Sequence, residues 1–114
     1  MELLTSELRE TLLRNGRLTR QCQIAGEDEP DFAPVVKIFT PDANCTWLLT
    51  ELDPDEPDIA FGLCDLGMGC PELGSVSISE LKSVRGCLGL PAERDLYFEA
   101  RFPLSVFASA ARQA

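Results

Sequence analysis

Four apolar runs follow one another between Pro34 and Ser77, and none of the links joining them exceeds six residues. A parallel pair of strands needs a crossover of about a dozen residues or more, so links this short restrict the segment to antiparallel pairing. The runs cover residues 35–39, 46–52, 59–66 and 73–76, and they are rich in β-branched and aromatic side chains. Each is bounded by residues that cannot continue a ladder. Pro34 opens the first, Pro41-Asp42 ends it, the segment DPDEPD (53–58) separates the second from the third, and Gly67, Gly69 and Pro71 turn the chain before the fourth. A further run, LYFE (96–99), reads as a last strand.

Helical signals lie outside this block. Thr5 suits an N-cap, Glu7 places an acid in the first turn, and Leu8, Leu12 and Leu13 share a face, with Asn15-Gly16 read as the stop. Residues 17–34, polar and carrying GEDEPDF, read as a flexible loop. Ser77-Ile78-Ser79-Glu80 matches a capping box, with Val76 and Leu81 as the hydrophobic staple of a short helix ending by Gly86. Pro103 can start a last helix with Leu104, Phe107, Ala108 and Ala111 on one face. The chain, 114 residues and 45% hydrophobic, is expected to form one α+β domain over 1–114: an antiparallel sheet of four to five strands, its two or three helices packed on one side.

The acidic excess is concentrated. Of 19 acids and 10 bases, nine acids and no base fall between Lys37 and Lys82, so that stretch carries the whole net charge of -9. It contains Asp42, Glu51, Asp53, Asp55, Glu56, Asp58, Asp65, Glu72 and Glu80. A field of one sign either keeps a small protein soluble or meets a basic partner, and it disfavours nucleic acid and anionic lipid. A third use, a divalent cation on Asp53, Asp55 and Asp58, departs from calcium-loop chemistry: prolines stiffen the segment, and the glycine and the distal glutamate are missing.

Other chemistries are narrowed by composition. The chain has no histidine, which removes Ser-His-Asp and Cys-His arrangements and His-ligated zinc. Its five cysteines, Cys22, Cys45, Cys64, Cys70 and Cys87, form no C-x2-C knuckle and read as reduced core residues. Gly67-Met68-Gly69 lacks the Lys-Ser/Thr of a phosphate loop. Trp47 reads as core. Charges of both signs from residue 2 onward argue against a secretory signal, and the expected location is the cytoplasm.

The segments FGLCDLG (61–67), ELG (72–74) and ERDLYF (93–98), together with the opening LLTSELRETLLRNG and the strand PVVKIFTP, resemble a bacterial domain-of-unknown-function family carried on plasmids and integrative mobile elements of proteobacteria. Relatives often carry an aromatic where this chain has Cys70 or Ser75, which weighs against Cys70 as a family-wide ligand or nucleophile. The resemblance implies no catalytic residues and no cofactor. It implies an accessory protein of a mobile element, a setting in which small acidic proteins often inhibit host defence such as restriction or CRISPR systems.

Taken with the charge pattern, the expected function is a non-enzymatic interaction protein. Glu51, Asp53, Asp55, Glu56, Asp58, Asp65 and Glu72 are its candidate partner-binding residues, facing a basic, nucleic-acid-binding surface of a host protein. No metal, membrane or direct nucleic-acid contact is expected. Two alternatives stand beside it: a divalent-metal carboxylate enzyme or nucleic-acid-processing accessory, and a dimerising regulatory module with a self-contact through Val106 and Phe107.

Overall fold

The computed structural model describes residues 2–113; Met1 and Ala114 of the expected 1–114 domain lie outside the described residues. The elements run α1 (Ser6–Ala25), β1 (Val36–Phe39), β2 (Thr46–Leu52), β3 (Ile59–Asp65), β4 (Glu72–Ser77), α2 (Ile78–Ser83), β5 (Glu93–Arg94) and α3 (Leu104–Gln113). The short links act as expected: one five-stranded sheet forms in the order β4-β3-β2-β1-β5, with every pair antiparallel.

The first helix is twice as long as its start signals suggested. Thr5 caps it, its side chain accepting from the Leu8 amide at 3.1 Å. Asn15-Gly16 does not end it. Residues 17–25 continue the helix, because Arg, Leu, Gln and Ala all favour it, and Gly26 terminates it in the left-handed region at φ 70°. The expected loop therefore shrinks to residues 26–34, and even this is tied down. The Leu104 amide donates to the Phe32 carbonyl at 2.8 Å, and Ser105 donates to the Asp31 carboxylate, so the segment braces the start of α3.

Gly16 serves as a contact point instead. A Cβ there would overlap the backbone oxygen of Leu52, so only glycine lets α1 lie directly on β2. Next to it, Asn15 Nδ2 donates to the Thr50 carbonyl at 2.9 Å. That carbonyl belongs to an irregularity in the β2–β3 ladder, where the register shifts between Leu49 and Glu51. The extra residue reverses the inward parity, so Trp47, Leu49 and Leu52 all enter the same core.

That core lies between the sheet and α1 with α2, and contains Leu12, Ile38, Leu49, Leu52, Ile78 and Leu81, all fully buried. Contrary to the expectation of helices on one side, α3 covers the opposite face. Leu104 and Ala108 pack there on Leu48 and Leu63, with Phe107 and Ala111 half-buried beside them. Phe107 is thus part of this second core, while its expected partner in a self-contact, Val106, is exposed.

Two local readings also change. The last strand is Glu93–Arg94, paired with Phe39 and Ile38, and not residues 96–99. Asp95 Oδ1 accepts from the Tyr97 amide at 3.0 Å and turns the chain, leaving Leu96 and Tyr97 exposed. None of the five cysteines is fully buried; Cys70 and Cys87 are exposed. Trp47 is core, as expected.

A glycine inside an exposed helix gains about 1 kcal/mol on replacement by alanine. Gly16→Ala is expected to do the reverse. Forcing a methyl against the Leu52 carbonyl should cost about 1–3 kcal/mol, read as a lower denaturant midpoint in chemical unfolding.

Candidate functional site

Beyond Gly16 the buried face of α1 turns polar. Gly16, Thr19, Arg20 and Gln23 follow at helical spacing and form one wall of a cleft of about 190 Å³. The ends of β2 and β3 with their turn form the other, through Glu51, Asp53, Pro54, Ile59, Ala60 and Phe61, with Ser75 of β4 and Glu29 of the following loop at its border. The register shift in β2 positions its central acid, setting Glu51 opposite Phe61.

Glu51 is half-buried here. Burial pushes its carboxyl above the usual carboxylate range, and the negative charges of Glu29 and Asp53 add to the rise. Thr19 stands beside it, near enough to hold down part of that rise. The Thr19 side chain is 7% exposed, and its hydroxyl makes no hydrogen bond of acceptable length and angle. A buried hydroxyl without a partner costs about 1–3 kcal/mol, so the pair is an unfinished polar contact.

Arg20 closes one side. Its guanidinium pairs with Asp55 and, at 3.4 Å, with Asp53, and the Asp55 hydrogen bond is the main cause of its raised pKa. Asp53 Oδ1 also accepts from the Asp55 amide at 2.8 Å, which shapes the proline-rich turn. Glu29 is held by Gln23 Nε2 at 2.9 Å.

The seven acids singled out in the sequence therefore part company. Glu51 and Asp53 line the cleft, Asp55 joins them through Arg20, and Glu56 is exposed on the same turn. Asp58 is structural: it accepts from the Ser77 hydroxyl at 2.6 Å and from the Ser79 amide and hydroxyl at 3.0 and 2.8 Å. The two hydroxyl bonds, Ser77 first, hold its carboxyl below the usual range. Asp58 thus backs the capping box, where Ser77 Oγ accepts from the Glu80 amide at 3.2 Å. Asp65 and Glu72 stand at the far end of β3 and β4, about 20 Å away along the strands; Asp65 Oδ1 accepts from the Gly67 amide at 2.9 Å.

The sequence profile of a family described as protein of unknown function (DUF2958) matches residues 3–114. The chain belongs to this family. No curated protein and no solved structure matches it.

Four cleft residues escaped the sequence reading: Thr19, Arg20, Gln23 and Glu29. The spacing Leu8, Leu12, Gly16, Thr19, Gln23 runs unbroken at intervals of three or four, and following it past the glycine would have found Thr19 and Gln23, with Arg20 beside them four residues after Gly16. Glu29 had no such signal, since only the fold returns its loop to β2.

Cys64 lies outside the cleft, and burial, then the charge of Glu72, push its thiol up, keeping it protonated. Among the described residues no three His, Cys, Asp or Glu side chains stand together so as to hold a metal ion, and no helix is long and apolar enough to cross a membrane.

Because folding raises the Glu51 pKa, its protonated form favours the native state. That contribution is complete below the ordinary carboxylate range and disappears as pH rises through the elevated value. Glu51→Gln is therefore expected to melt a few degrees above the parent chain at pH 7 and level with it near pH 4, in thermal unfolding monitored at both.

Proposed function

We propose that this protein is a non-enzymatic interaction module that uses its acidic end to hold a basic surface of a protein partner. One observation carries the reading. Glu29, from the loop after α1, and Glu51 and Asp53, from the end of β2 and its turn, converge on one cleft that Asp55 joins through Arg20, the one base among the lining residues. Like charges gathered in this way repel, and a cationic partner relieves that repulsion.

The partner is best described by its chemistry: a positively charged patch of the kind that handles nucleic acid. Its finer form is inhibition of a host defence complex, such as a CRISPR or restriction system, by occupying that patch. The separation of Asp65 and Glu72 from the other acids supports docking at one end of the molecule over an extended row of phosphate mimics. Complementary charge of this type chiefly speeds association and selects partners, and it weakens with salt.

The test is capture of partners from bacterial lysate by the tagged chain at low and high salt, beside a variant carrying Glu29→Gln, Asp55→Asn and Glu56→Gln. Asp58 is left intact because it holds α2. Exposed pairs contribute about 0.2–1 kcal/mol each, so the triple variant should bind on the order of tenfold more weakly. Salt-released capture of a basic protein, lost in the variant, supports the reading. Empty capture, or capture indifferent to salt and substitution, overturns it.

A further inference from the structure

We infer that the cleft is a receptor for one lysine side chain of that partner, its ammonium group seated against Glu51. The inference rests on the interaction reading above and adds the residue type that the site recognises.

Size comes first. A cleft of about 190 Å³ is smaller than the roughly 300–1,000 Å³ of sites that take drug-sized molecules, and fits one side chain. Its lining is divided in a way that matches an alkylammonium. Pro54, Ile59 and Phe61 offer apolar surface to a methylene stem, and Phe61 is 37% exposed. Glu51 and Glu29 offer charge to the head group.

The second observation is the Thr19 hydroxyl, which is more than nine-tenths buried, lines the cleft and lacks a hydrogen-bond partner. A buried group of this kind calls for an explanation. The Glu51 carboxyl beside it can accept from that hydroxyl, and a cation seated on the carboxylate favours its charged, stronger-accepting form. One ammonium therefore completes two unfinished contacts, the carboxylate directly and the hydroxyl through it.

Other cations fit less well. A metal ion needs several ligands close together, which the described residues do not provide. A guanidinium is planar and broader than an ammonium, and one already lines this cleft: Arg20, paired with Asp53 and Asp55. The half-buried Glu51 carboxylate, with Glu29 beside it, is left to the compact three-donor head of lysine.

The experiment is a titration of the full chain, followed by backbone amide NMR shifts, with three capped peptides that differ only at the central residue: lysine, arginine or glutamine. Cadaverine serves as a free amine. The lysine peptide is expected to shift the amides of α1 near Thr19 and of β2 near Glu51, and to bind at least fivefold tighter than the arginine peptide. The glutamine peptide should not bind. Glu51→Gln, which is expected to remain folded and gain stability, should weaken lysine binding tenfold or more. Thr19→Val should weaken it several-fold, and Thr19→Ser should restore it.

Arginine binding as tight as lysine, or lysine binding unchanged by Glu51→Gln, overturns the inference. So does cadaverine binding more than tenfold tighter than the peptide, which would assign the site to small amines. The two readings fail separately. Capture of a basic protein that survives Glu51→Gln removes the lysine site and leaves the interaction module. Specific lysine binding with no capture from lysate removes the module and leaves the site.

Discussion

The backbones of α1 and β2 touch at Gly16. That contact sets the height of the helix above the sheet, and much of the molecule follows from it. With the helix this close, Leu12 reaches the centre of the core, and Asn15 can satisfy the Thr50 carbonyl that the register shift in β2 leaves outside the ladder. A larger residue at position 16 would lift the helix and open the core beneath it. Glycine in a helix is usually a weakness; here its missing side chain is the condition for packing.

The register shift has a second consequence. It restores Leu52 to the core and, in the same step, sets Glu51 beside Phe61 at the border of the cleft. A regular strand could not place both, because side chains alternate strictly with period two. The half-buried acid and the long, close-packed helix are thus two results of one backbone irregularity, and the polar half of α1 supplies the wall against which that acid is confined.

Charge is the other organising quantity. The acids that look alike in the sequence have different occupations in the fold. Asp58 braces the cap of α2, Asp65 shapes a turn, Asp53 shapes another while sharing Arg20 with Asp55, and Glu51 is held in a partly desolvated cleft. A count of carboxylates along the chain measures the total field, but only the geometry separates acids consumed by structure from those facing outward.

Much of the architecture was legible beforehand. Short proline- and glycine-bounded links restricted the strands to antiparallel pairing, Ser77 and Glu80 marked α2, and Leu104, Phe107, Ala108 and Ala111 marked the packed face of α3. These are local signals, set by φ/ψ limits and by periodicity within one element. Three features were decided only by tertiary structure: the continuation of α1 through Gly16, the placement of α3 on the opposite face, and the meeting of Thr19, Glu29 and Glu51 at one cleft. Each depends on contacts between residues far apart in the chain. A glycine reads as a helix stop until the strand that needs its empty space is in place, and an acid reads as surface charge until a helix from elsewhere covers it.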